Sequence, residues 1–268
     1  MTAILRRDDG ATIELEVHRW HAEIDEAEHA LLPSLPDPVL DIGCGPGRVA
    51  AALAAMGRVA LGIDPEPRAV ALALGRGAVA LERSVFDPLP GEGRWGSALL
   101  LDGNIGIGGD PVRLLRRVRG LLAPRGWVVA EVLAPQCSTE LLTVRVEARS
   151  GGAVGPWFPW ARVAAADFPA LALESGLRPG HMVCLGRRRF AIHFLLQDGE
   201  DDAVLPLFGR PALPMRPEAL SDAGIDFLIV SGMRNGPGWE RLTPLQEGTR
   251  PVFEVRTGAA GRDREGSV

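Results

Sequence analysis

The chain has 268 residues, 46% of them hydrophobic, and a formal net charge of -5. That length can bury one substantial core, and the acidic balance lacks the basic surface whose counterion release drives binding to nucleic acid or anionic lipid. All 29 basic residues are arginine and tyrosine is absent. No lysine can form a Schiff base and no tyrosine can act as a base, so such roles fall to His, Asp, Glu or Cys.

Cys44, Cys137 and Cys184 are too widely spaced for a zinc knuckle or a redox dithiol. No apolar stretch approaches the length of a membrane span, and the first residues, MTAILRRDDG, lack the apolar core of a signal peptide. These features predict a soluble protein of the reducing cytoplasm, without membrane or nucleic-acid partners.

Arg19 to Leu32 carries Trp20, Ile24, Ala27 and Leu31 at helical spacing, which predicts an amphipathic helix ahead of the main fold. After the break at Pro33, Pro36 and Pro38, Val39–Ile42 reads as a buried strand that ends at a glycine turn. A helix follows over Arg48–Met56, then a strand over Val59–Ile63 that ends at Asp64. The alternation continues with a helix near Pro67–Gly75 and strands near Ala78–Leu81 and Ala98–Leu101. Asp110-Pro111 predicts the N-cap and first residue of the next helix, whose apolar face is Leu114, Leu115, Val118, Leu121 and Leu122. Arg113, Arg116, Arg117 and Arg119 fall on the opposite face, expected to be solvated. Val128–Val132 is the following strand. Strands alternating with helices predict a parallel sheet covered on both faces.

Beyond Pro135 the pattern predicts an edge segment at Leu141–Ala148, a helix near Ala164–Ser175, and a hairpin of Met182–Leu185 with Phe190–Leu196 joined through Arg187, Arg188 and Arg189. The organisation expected is one domain over residues 1–197 and a weakly ordered Pro/Gly-rich extension over 198–268, with an apolar island at Phe227–Val230.

The most informative stretch is VLDIGCGPGR. Gly43, Gly45 and Gly47 lie on alternate positions between a strand and a helix, where glycine tolerates positive φ and lets backbone approach a ligand, beside a helix N-terminus with unpaired N–H groups. Asp64 ends the next strand, where an acid can accept the hydroxyls of a ribose. A dinucleotide fingerprint shares this logic but needs its third glycine where Arg48 stands.

VLDIGCGPGR and LGIDPEP resemble the first two motifs of the class I S-adenosylmethionine-dependent methyltransferases. The likeness extends more weakly through VFDPLP, LLLDGNIG and LLAPRGWVVAEV, over roughly Trp20 to Leu196. The resemblance implies a Rossmann-like, seven-stranded, mostly parallel sheet with helices on both faces and an antiparallel last strand. It makes Asp41, Gly43, Gly45 and Gly47 the loop for S-adenosyl-L-methionine and Asp64 its ribose ligand. Relatives often carry an acid that binds the adenine amino group four residues before the Leu-Pro pair; here that position is Val85, so Phe86 stacking and backbone near Val85, with Asp87 close by, are the candidates. The loop Asp102–Gly109 should face the methyl group, with Asp102 or Asn104 orienting the acceptor, although a flexible connection explains its glycines equally.

In-line alignment of a good leaving group can supply roughly 7–11 kcal/mol of the barrier, so a dedicated base is not required. Where the acceptor must lose a proton, the candidates are Asp102, His21, His18 and Glu131. Trp157, Phe158 and Trp160 could wall an apolar pocket or belong to the core. No metal site is expected. The expected function is methylation of a small molecule; the alternatives are a non-catalytic S-adenosylmethionine-binding regulator and an NAD(P)-dependent oxidoreductase.

Overall fold

The computed structural model describes residues 3–149, 151, 154–184 and 190–196. Within them run β1 (Ala3–Arg7), β2 (Thr12–Leu15), α1 (Val17–Trp20), α2 (Glu26–Leu31), β3 (Val39–Ile42), α3 (Arg48–Ala55), β4 (Ala60–Asp64), α4 (Pro67–Gly75) and β5 (Ala80–Glu82). The chain continues through β6 (Trp95–Leu100), α5 (Pro111–Leu121), β7 (Leu122–Val132), β8 (Glu140–Ala148), β9 (Phe158–Arg162), α6 (Phe168–Glu174), β10 (Leu177–Cys184) and β11 (Phe190–Leu196).

The main sheet has the order β10-β11-β7-β6-β3-β4-β5. Parallel pairing is confined to five strands, β7-β6-β3-β4-β5. β11 joins β7, and β10 joins β11, by antiparallel pairing only. The expected mostly parallel, seven-stranded sheet is therefore realised as a five-stranded parallel body. β3 and β6 are buried at every position because helices cover both faces of that body. One apolar core, around Leu40, Leu100, Leu115, Val128 and Phe168, fills one side of it. A second, around Leu31, Leu32, Leu53, Leu99 and Val129, fills the other. Asp110 caps α5 as expected, accepting a 2.9 Å hydrogen bond from the Arg113 N–H.

Two expectations need correction. The single helix over Arg19–Leu32 is two short helices, because Asp25 accepts from the Glu28 N–H at 2.9 Å while Glu28 accepts from the Asp25 N–H at 3.0 Å, a capping box that starts α2 afresh. The segment read as an edge, β8, lies inside a second sheet of order β2-β1-β8-β9, every pairing antiparallel. The arginine face of α5 is solvated as expected at Arg113, Arg116 and Arg119, which are exposed, while Arg117 is partly buried and donates to the carbonyls of Val85 and Asp87, and Arg113 lies 4.5 Å over the Phe86 ring. Arg187, Arg188, Arg189, the end of the expected hairpin strand at Leu185 and the extension over 198–268 lie outside the described residues.

The second sheet reaches the main one through the loop after β6. Ile107 bridges to Trp160 in β9, and Gly106 lies so close to β9 that a Cβ there would overlap the Ala161 carbonyl oxygen and meet the Trp160 indole at 2.8 Å. Gly106→Ala should therefore cost about 1–3 kcal/mol of stability by overpacking. Urea denaturation checks this, and unchanged stability would show that β9 does not depend on the contact.

Candidate active site

The glycine loop forms between β3 and α3, where the N–H groups of Gly43 and Cys44 donate to the Ile63 carbonyl at 2.8 and 3.0 Å and fasten the loop to β4. Its glycines are required for different reasons. A Cβ on Gly43 would stand 2.6 Å from the Asn104 amide nitrogen, and one on Gly47 would stand 2.5 Å from the Ala73 Cβ. Gly45, at φ +52°, meets nothing within 4 Å, so its open side faces space rather than protein. Asn104 donates at 2.9 Å to the carbonyls of both Ile42 and Gly43, which commits its amide to holding this loop.

The open side of the loop belongs to a cavity of about 490 Å³. Of the expected donor residues, Asp41, Gly43, Gly45, Asp64, Val85, Phe86 and Asp102 line it, while Gly47 packs behind the loop. Asp64 accepts from the N–H of Gly45 at 3.0 Å and of Glu66 at 2.8 Å, and partial burial raises its carboxyl above the ordinary range. Asp41 is buried, with one carboxylate oxygen lacking a hydrogen-bond partner. Burial first, and the neighbouring Asp102 charge second, push its carboxyl up to about 7. Burial also raises the Cys44 thiol, which keeps it un-ionised and inert.

Arg48 and Asp102 of the lining belong to a ring of charges that sequence reasoning did not reveal. Glu28 pairs with Arg48; Arg48 pairs with Asp102 at 2.6 Å; Asp102 pairs with Arg19 at 3.2 Å; Arg19 returns to Glu28 at 2.6 Å. Glu28 is fully buried and the Arg48 side chain is 4% exposed. Arg48 thus fills the position where a dinucleotide fingerprint has its third glycine. The ring joins α1, α2, the start of α3 and the loop after β6. Asp102 holds φ +53° there, and its N–H donates to the Glu131 carboxylate at 3.1 Å. Arg48 and Arg19 engage the two oxygens of the Asp102 carboxylate, which ties the loop after β6 to α1 and α3. His18 and His21 are exposed and are not among the cavity's lining residues. Neither is Glu131.

Trp20, which follows Arg19 of the ring, lines the cavity with Ile107, Phe158, Pro159 and Trp160. Trp157 does not; it is exposed, with Arg145 stacked 4.6 Å over its ring. Among the described residues no group of three or more His, Cys, Asp or Glu side chains is placed to hold a metal, and no helix is long and apolar enough to cross a membrane.

A glycine loop at the carboxyl end of β3, an acid at the end of β4 and a cavity opening at the switch point of the strand order define a Rossmann-like ligand-binding domain. The family model for the methyltransferase domain matches residues 17–169, more than half of the sequence, and the chain belongs to that family. Among solved structures, an S-adenosylmethionine-dependent methyltransferase from Bacteroides fragilis, in complex with S-adenosyl-L-homocysteine, superposes with a TM-score of 0.61 at 20% identity, over 73% of this chain and 88% of its own. The CcbJ methyltransferase from Streptomyces caelestis does so with a TM-score of 0.50 at 18% identity, over 65% and 91%. These likenesses establish the fold. No curated protein matches the sequence.

Removing one member of a buried ion pair strands its partner's charge, so Glu28→Gln should destabilise the protein by about 3 kcal/mol. Equilibrium urea unfolding measures this; a loss within about 0.5 kcal/mol of zero would mean that the ring is not a structural anchor.

Proposed function

We propose that this protein transfers a methyl group from S-adenosyl-L-methionine to a small-molecule acceptor bound in the same cavity. The observation that carries the reading is the unpartnered, buried Asp41 oxygen beside a glycine loop whose open side faces the cavity. A buried polar atom left without a partner calls for a ligand group that supplies one. The ammonium of the donor's amino-acid end is a donor of the right charge, and the glycine backbone accommodates its close approach.

The remaining lining fits the rest of the donor. Asp64, partly buried in the lining, has acceptor capacity left for ribose hydroxyls after receiving two backbone N–H groups. The Val85–Phe86 turn takes the adenine: Arg117 fixes the Val85 carbonyl, and Arg113 lies 4.5 Å over the Phe86 ring. When bound, the donor supplies an electrophilic methyl group on a sulfonium. The protein's own contribution is to align an acceptor against that group and to exclude water. Asn104 holds the glycine loop, Asp102 and Arg48 hold the loop after β6, and Trp20 and Trp160 close the apolar side. Arg48, in place of the third glycine, argues against a nicotinamide dinucleotide.

Three outcomes are expected. Asp64→Ala should weaken S-adenosyl-L-homocysteine binding at least tenfold by calorimetry, and unchanged affinity would remove the ribose assignment. Asp41 holds its proton up to about 7 when folded, against 3.8 for an ordinary aspartate. Pairing with an ammonium favours the carboxylate, so donor binding at pH 6 should release a proton and affinity should rise from pH 6 to 7.5. Because the folded state binds the extra proton in the window between those two values, stability should fall as pH rises through it. Asp41→Asn should flatten both trends, and persistence of either in the variant would assign it to another group. Truncation after residue 197 should leave donor affinity unchanged, since every proposed donor contact precedes it; a large loss would place the extension in the donor site.

A further inference from the structure

The donor side of the cavity lies at the ends of β3 and β4, and the remaining space lies against β9 and the loop after β6. What lines that space restricts the acceptor. Phe158 and Trp160, two residues apart on β9, meet edge to face with ring centroids 6.1 Å apart and planes at 88°. Trp20 lines the same cavity, held beside the charge ring through Arg19. Among the described residues of the lining there is no histidine, and the chain contains no lysine or tyrosine. Of the three carboxylates of the lining, Asp41 and Asp64 belong to the donor side and Asp102 is bound by Arg48 and Arg19, so none is left to serve the acceptor as a base. Neither is a basic side chain available there for an anionic acceptor: Arg48 is held by Glu28 and Asp102, and Arg83 follows β5, on the opposite flank of β3 from β6.

Resting on the donor reading above, we propose that the acceptor is an amine on an apolar or planar framework, methylated at a neutral nitrogen and leaving as an ammonium against the faces of Trp20, Phe158 and Trp160. The chemistry suits a site without a base. The nitrogen lone pair forms the new bond to the methyl carbon, the carbon–sulfur bond breaks with its electron pair going to sulfur, and the positive charge passes from sulfur to nitrogen. Any N–H proton is then lost from the ammonium to solvent. An alcohol or phenol would need its proton taken in the transition state, which this lining does not provide. Aromatic faces attract the charge that develops on nitrogen, more strongly once water is excluded.

The test uses the full chain saturated with S-adenosyl-L-homocysteine and three monosubstituted benzenes: trimethylanilinium, its neutral isostere tert-butylbenzene, and the anion benzoate. Calorimetry should show trimethylanilinium binding about tenfold tighter than either of the others. Trp160→Leu should abolish that preference, whereas Trp160→Phe, which keeps an aromatic face, should retain most of it. Equal or tighter binding of benzoate or tert-butylbenzene overturns the inference, as does a preference that survives in Trp160→Leu. Binding of S-adenosyl-L-homocysteine with none of the probes overturns the amine assignment and leaves the donor reading standing. Failure of S-adenosyl-L-homocysteine itself to bind overturns the donor reading.

Discussion

Glu28, Arg48, Asp102 and Arg19 close on one another beneath the cavity, two cations and two anions from four separate stretches of chain. Charges this buried are costly to desolvate, and the arrangement is tolerable because each finds two opposite partners. Its consequence is geometric. The ring fixes the N-terminal segment that carries Trp20, the first turn of α3 behind the glycine loop, and the loop that carries Asp102 and Asn104. Three walls of the site are thereby set by one set of contacts.

The same ring engages the candidate base. Asp102 stands at the carboxyl end of β6, where a catalytic group is expected in an open α/β sheet, yet its carboxylate is engaged by Arg48 and Arg19 and its N–H by Glu131. A methyl donor with a good leaving group needs an aligned nucleophile and a dry pocket, and in the proposed reading the glycine loop serves the first side of that arrangement and the aromatic wall the second.

Much of this was legible in the sequence because it depends on local rules. α4 runs over Pro67–Gly75 as the pattern predicts, Asp110 caps α5, and β4 ends at Asp64. The glycine loop declared itself through spacing alone. What was not legible depends on contacts between distant residues. Nothing in the periodicity of Arg19–Leu32 says that Glu28 faces Arg48, although the D-x-x-E pair at Asp25 and Glu28 does signal a new helix start. The hairpin of β1 and β2 was similarly available from Asp9-Gly10 between two strand-like runs, but its pairing with β8, more than a hundred residues later, was not. Nor does a glycine-rich loop reveal whether its glycines serve mobility or close approach. Gly106 turned out to serve approach, and so brings Trp160 to the cavity.

The central claim is that the cavity over the glycine loop accepts a sulfur nucleoside carrying an amino-acid end, with Arg48 closing it to a dinucleotide. Calorimetric titration of the full chain with S-adenosyl-L-homocysteine and, separately, with NADH tests this most directly. Saturable one-to-one binding of S-adenosyl-L-homocysteine with no measurable binding of NADH is the expected result; binding of NADH alone, or of neither ligand, would overturn the donor assignment.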